Sequence, residues 1–192
     1  MKYDKFADIE GSFASALGFL SEAVGDDEER WFMKYIHIEP SDKGDGLLGV
    51  ATDGRHLHLI DPLHAGMVEL FGITPGYWQV LRTYKKQERI WIARLDDSVT
   101  GDWVYPNWRK VVPTKEAVYK TTFNGFSFEE KTNHAGVAKL LHDFPETTAM
   151  SLTYLQSIGM FCEWDVEWFG PLSTIKFIEG DRVAVIMPLQ LE

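Results

Sequence analysis

Val50-Ala51-Thr52-Asp53-Gly54-Arg55-His56-Leu57 places one apolar run against another across a Thr-Asp-Gly-Arg corner. Asp and Gly accept the backbone angles of a tight reversal, so Leu47 to Ala51 and Leu57 to Ile60 read as two short strands around it. Toward the N-terminus, Ser41-Asp42-Lys43-Gly44-Asp45-Gly46 is a further turn. It follows Trp31 to Glu39, whose aromatic and branched residues predict a strand. Earlier still, Phe13, Ala16, Leu17, Leu20 and Val24 recur at helical spacing and predict a helix from Ser12 to Val24, ended by Gly25-Asp26-Asp27-Glu28-Glu29.

Toward the C-terminus the same order returns. After a connection from Pro62 to Pro75, the positions of Tyr77, Val80, Leu81 and Tyr84 predict a short helix over Gly76 to Lys86. Arg89 to Leu95 alternates as a strand, Asp96-Asp97 reads as a turn, and Trp103-Val104-Tyr105 as another strand. Helix, strands, helix, strands is a repeat of pattern with a period of about 50 residues. Prolines bound Tyr105 to Pro113, as suits a connector. Beyond it Asn124-Gly125 signals a hairpin between Val118–Phe123 and Phe126–Glu130. Helices are predicted over His134–Asp143 and Leu152–Met160, and strands over Val166–Phe169, Thr174–Ile178 and Arg182–Met187. The fold class is α+β, with mostly antiparallel sheet and a few short helices.

The composition fits. The chain has 192 residues, 45% apolar, 14% aromatic and 25% charged, enough for one large domain or two of roughly 100 residues. Disorder and low-complexity chains are excluded. A single cysteine, Cys162, excludes an intramolecular disulfide framework and a cysteine zinc cluster. The charged start, Met1-Lys2-Tyr3-Asp4-Lys5-Phe6, is unlike a signal peptide, and no apolar run nears the roughly 18 residues of a membrane span. The expectation is a soluble, cytoplasmic protein without a membrane partner. A net charge of −10 argues against a chain that wraps nucleic acid with its whole surface, while leaving room for one basic face.

Catalytic signatures are scarce. There is no glycine-rich phosphate loop and no nucleophile elbow, and Cys162 has no histidine near it in sequence. Asp53, His56, His58, Asp61 and His64 form the one cluster that resembles a metal site. Histidines two apart on a strand face the same way and could share a divalent ion with a carboxylate. A strand satisfying its polar side chains on one sheet face explains the same spacing and is preferred. The chain is therefore expected to bind no metal or cofactor and to be no enzyme, with a metal-dependent hydrolase on Asp53, His56, His58 and Asp61 as the least favoured alternative.

Three stretches together resemble the bacterial DNA polymerase sliding clamp, the β subunit of the replicative polymerase. Val50 to Leu57 is similar to the family's ATDGHRL-type strand-turn-strand, with His and Arg exchanged. Tyr105-Pro106-Asn107-Trp108-Arg109-Lys110-Val111-Val112-Pro113 resembles its YPDWRRVLP-type interdomain segment, and Val185-Ile186-Met187-Pro188-Leu189-Gln190-Leu191 its VVMPMRL-type C-terminus. They occur in the family's order. The resemblance is nearly complete over residues 10–113 and patchier over 114–192, and it implies the last two of three clamp domains. These are a clamp-like domain at 1–104, a connector at 105–113 and an abridged second domain at 114–192, with short helices packed on one face of antiparallel sheets.

The resemblance implies a processivity or scaffold protein of DNA replication or repair. Such a protein takes partner peptides with Leu and Phe anchors in an apolar interdomain pocket. The matching positions are Met33, Thr52, Gly54, Leu57, Pro106, Lys110, Val111, Val185, Ile186, Met187, Pro188, Leu189 and Leu191. A methionine suits such a pocket because its flexible thioether adapts to different anchors. The alternative for Val111, Val185 and Ile186 is plain core. Gln190 stands where the family has Arg, and Glu192 extends the end. The family also encircles double-stranded DNA with basic helix faces, and Arg82, Lys85, Lys86 and Lys139 are the DNA-facing candidates. Since a ring of the family takes six domains, two domains per chain suggest a homo-oligomer of three chains, with a monomer carrying a shortened last domain equally open. The helix from Ser12, without Lys or Arg up to Val24, motivates the other reading: a clamp-fold adaptor that does not bind DNA.

Overall fold

The computed structural model describes residues 1–84, 87–101, 103–124, 134–146, 148–158 and 163–189. The chain divides into two compact units. Unit 1 is Met1–Gly54 with His58–Pro106, and unit 2 is Arg55–Leu57 with Asn107–Glu192.

Unit 1 carries β1 (Tyr3–Glu10), α1 (Ser12–Ser21), β2 (Ile36–Pro40), β3 (Leu47–Thr52), most of β4 (His56–Ile60), α2 (Ala65–Leu70), β5 (Gly76–Tyr84), β6 (Arg89–Leu95) and α3 (Asp97–Thr100). Its strands lie in the order β1-β6-β5-β2-β3-β4. The β1–β6, β6–β5, β5–β2 and β2–β3 pairs are antiparallel. Helix α1 packs on β1, β3 and β6 and buries Phe13, Leu17 and Leu20. Ile9, Ile36, Ile38, Val50, Trp78, Ile90 and Ile92 are fully buried in the same unit. Gly49 lets the helix approach, because a Cβ there would stand 2.6 Å from Leu20 Cδ1. A cluster of Tyr35, His37, Tyr77, Trp103 and Tyr105 forms through ring contacts. His37 and Tyr77 are register partners, so the cluster grows from one sheet face. Tyr77 donates its hydroxyl to the Trp103 carbonyl at 3.2 Å, and burial pushes the phenols of Tyr77 and Tyr105 up from their ordinary value.

Unit 2 carries β7 (Tyr119–Asn124), α4 (His134–Asp143), α5 (Leu152–Ser157), β8 (Glu163–Trp168), β9 (Ile175–Glu179) and β10 (Arg182–Ile186). The strands run β10-β9-β8-β7, each pair antiparallel. Phe123, Trp164, Val166, Trp168, Phe177, Ala184, Val185 and Ile186 make its core. Phe144 stacks on Trp168, whose Nε1–H donates to Thr148 Oγ1 at 3.1 Å.

Both units are antiparallel sheets with short helices, the expected α+β class, and several elements differ from expectation. Gly76–Tyr84 is a strand rather than a helix. A register shift between Val80 and Arg82 breaks its alternation, which is how Tyr77, Val80, Leu81 and Tyr84 come to imitate helical spacing. Trp31–Lys34 is a 3₁₀ turn, and the strand begins at Ile36. Trp103 to Tyr105 is not a strand; Trp103 and Tyr105 serve the aromatic cluster, and Val104 between them is exposed. Asp97 opens a short helix whose first turn is capped by the Asp96 carboxylate accepting from Ser98 N–H. Strand β1 and helix α2 had no sequence-based expectation. The Asn124-Gly125 hairpin and its second arm lie outside the described residues from Gly125 onward.

Candidate functional site

Where β10 ends, the C-terminal run is held by its backbone. Met187 N–H donates to the Arg55 carbonyl at 3.0 Å, and Leu189 N–H donates to the Ala149 carbonyl at 2.8 Å. Pro188 between them has no N–H and a fixed φ. The two donors are thus satisfied while the side chains of Met187 and Leu189 stay 37% and 47% exposed. A backbone tethered in this way loses little further freedom when something docks on its exposed apolar side chains. Arg55, on the far side of the Met187 bond, is exposed and directly follows Gly54 in the chain. Next to it His56 is buried, its ring stacked on Tyr154 of α5 at 4.3 Å between centroids. Arg55, His56, Tyr154, Met187 and Leu189 all belong to unit 2.

The other expected positions fall as follows. In unit 2, Val185 and Ile186 are fully buried strand residues, the core alternative for both, and Leu57 is buried as well. Lys110 is exposed at the end of a 3₁₀ turn, Trp108–Lys110, while Val111 after it and Pro188 are half-buried. In unit 1, Thr52 is buried and its hydroxyl accepts Gly54 N–H at 3.0 Å. Gly54 has φ +89°, a conformation that favours glycine, and a Cβ there would stand 2.6 Å from the Arg30 guanidinium. Met33 is buried in the 3₁₀ turn, 3.7 Å from the same point, and Pro106 is half-buried. Leu191 lies outside the described residues.

The DNA-facing set does not share the placement expected of it. Arg82 stands on strand β5, whereas Lys139 is exposed on helix α4; Lys85 and Lys86 lie outside the described residues. Among the described residues no three His, Cys, Asp or Glu side chains come together as a metal site. The histidines of β4 are used separately. His58 is fully buried, stacks on Phe19 and holds the Phe19 carbonyl 2.6 Å from Nδ1, whereas His56 packs on Tyr154. Asp61 accepts the Ser41 hydroxyl at 2.5 Å. Tyr154 and the Arg55 and Ala149 carbonyls were not legible in the sequence. The stack is made by tertiary packing, and a carbonyl acceptor carries no side-chain signature.

Compared with solved structures, the chain superposes over 99% of its length on DNA polymerase III subunit beta from Borrelia burgdorferi, with a TM-score of 0.61 at 12% identity. The fold is that of the bacterial sliding clamps. The DnaN sliding clamp of Bartonella birtlesii, bound to griselimycin, gives a TM-score of 0.59 at 12% identity. The Helicobacter pylori beta clamp, bound to a DNA ligase peptide, gives 0.55 at 13% identity. Both cover all of this chain. The chain spans 65% of the Borrelia clamp, 68% of the Bartonella clamp and 67% of the Helicobacter clamp. No family model matches the sequence, and neither does any curated protein.

Proposed function

We propose that this clamp-fold chain is a non-catalytic scaffold of DNA replication or repair that takes short peptides of partner proteins. The observation that carries this is the pair of exposed apolar side chains, Met187 and Leu189, on a backbone tied at both donors beside the Arg55 carbonyl. They stand at the chain position where the sequence resembles the clamp C-terminus, and the Helicobacter clamp of the same fold carries a ligase peptide. Lys110, Val111 and Pro188, of the same unit and not buried, remain part of the proposed peptide-binding set. In the test, a fluorescently labelled peptide with Leu and Phe anchors is titrated with the protein. Met187→Asp and Leu189→Asp each lower affinity by roughly tenfold or more while the thermal unfolding curve keeps its shape, because a buried carboxylate without a partner is strongly disfavoured. Unchanged affinity in both variants would show that the peptide binds elsewhere.

The proposal extends to a ring of several chains around duplex DNA, with Lys139 among its contacts. A specific observation favours the adaptor alternative, in which the ring role is absent: α1, Ser12–Ser21, carries no Lys or Arg, and Arg82 is on a strand. Retention on closed but not on linearised circular DNA distinguishes the two.

A further inference from the structure

Strands β1, β6 and β5 of unit 1 share an outer face whose rows follow from the register. Asp8, Trp91 and Arg82 are partners in one row, with Trp91 in the middle. Phe6, Ala93 and Gln79 make the row on one side of it, and Glu10, Arg89 and Tyr84 the row on the other. Register partners lie on one face of a sheet, and residues two apart on a strand stay on that face. The face is open: Phe6 is 65% and Trp91 43% exposed, whereas Ala7, Ile9, Ile90 and Ile92, which alternate with them, are buried. Ala93, fully buried, leaves a low floor beside the two rings. Charge on the face cancels, with Arg82 and Arg89 against Asp8 and Glu10. Asp8 accepts from Arg89 Nε at 2.7 Å and also from its Nη2, and Glu10 lies 3.7 Å from the same Nε. Arg82, which is exposed, has its Cζ 4.7 Å from the Tyr84 centroid.

We infer that this face docks on the same face of a second copy of the chain, about a two-fold axis. Exposed rings rimmed by polar groups mark a protein contact, and charge complementarity selects the occupant. With a net charge of −10 the chain repels its own copy over its surface as a whole, and a face on which the signs cancel escapes that repulsion. A two-fold contact further requires a patch that is complementary to itself. An axis running along β6 supplies this, because it lays β1 of each copy over β5 of the other. Asp8 then meets the partner's Arg82, and Trp91 packs offset on the partner's Trp91. Phe6 meets the partner's Gln79, beside the floor left by Ala93. An axis across the strands would instead set Asp8 on the partner's Asp8 and Arg82 on the partner's Arg82, so the charges choose the first arrangement. The two sheets then stack in the aligned manner of a sandwich. The contact lies in unit 1 and is independent of the peptide proposal, which rests on unit 2.

The test is light scattering of the intact chain at about 100 micromolar, since a patch of three strands makes a weak contact. The expected result is a particle whose mass halves in Trp91→Ala, with the dissociation constant raised roughly tenfold or more. Phe6→Ser acts in the same direction, and thermal unfolding checks that each variant is folded. Asp8→Lys alone and Arg82→Glu alone also dissociate, because each sets like charges opposite one another across the axis. Mixed one to one, these two variants reassociate, since positions 8 and 82 then carry opposite signs in both contacts. A purely structural role of either residue would not produce that rescue. A parent with the same mass as Trp91→Ala overturns the inference, whether it is a single chain or an assembly held through another surface. A mixture no heavier than its two components overturns it as well, leaving the face to a different partner.

Discussion

Gly54 shows how one residue can set the geometry of a corner. Its φ of +89° costs other residues about 1–3 kcal/mol, and the missing Cβ makes room for the Arg30 guanidinium. The Thr52 hydroxyl fixes the same corner by accepting Gly54 N–H. Arg30 is itself held by the Asp27 carboxylate, with Nε 2.8 Å from Oδ2, and that contact keeps the Asp27 carboxyl below its ordinary range. Gly54→Ala is therefore expected to lower stability by about 1–3 kcal/mol in urea unfolding without changing the m-value, since the compactness of the fold is kept. A neutral substitution would mean that the corner relaxes and that the glycine is not required. Because Arg55 follows directly and receives Met187 N–H, peptide affinity is expected to fall in the same variant.

Among the elements, unit 2 owes part of its register to one charge ladder. Lys120, Glu167 and Lys176 are direct partners across β7, β8 and β9. Glu167 accepts from Lys120 at 2.9 Å and from Lys176 at 3.2 Å. Burial pushes the Glu167 carboxyl up, but the two lysine hydrogen bonds outweigh it and hold the group below its ordinary value. A carboxylate lowered by folding adds stability above its unfolded pKa of about 4.3, and that contribution is lost as the pH falls below it. Glu167→Gln is thus expected to lower the melting temperature at pH 7, with the gap from the parent closing toward pH 3. A gap that stayed constant with pH would rule out the ladder. His134–Asp143 was read with the bounds observed, because Val137, Leu140 and Leu141 repeat without interruption. β5 was misread because a register shift places apolar residues at spacings of three and four. Asp97–Thr100 hid behind a turn signal because one capped helical turn and a tight turn use the same acidic residues. Of the proposed site, the Met187–Leu189 run is suggested in the sequence by its likeness to a family's C-terminal segment, whereas the His56–Tyr154 stack joins residues 98 positions apart and has no local trace.

At the scale of the whole molecule, the chain is two bodies of contacts, and the division does not follow the chain order. Arg55–Leu57 belongs to unit 2 although the residues on both sides of it, through Gly54 and from His58, belong to unit 1. The reason is local: Arg55 receives Met187 N–H, and His56 stacks on Tyr154, while His58 two residues later packs on Phe19 of α1. Cooperative opening follows such bodies rather than sequence, so amide exchange should separate them. Ile92→Val and Ile175→Val trim fully buried residues in units 1 and 2, at a cost of about 0.5–1.5 kcal/mol each. Each is expected to speed exchange of the slowest amides in its own unit roughly two- to tenfold and to leave the other unit unchanged. The Leu57 amide is expected to respond to Ile175→Val and that of Leu59 to Ile92→Val, although both lie on β4. A Leu57 amide that followed Ile92→Val would move this segment energetically into unit 1. If either variant accelerated both units equally, the chain would open as a single body, and the ends of β4 would share one stability.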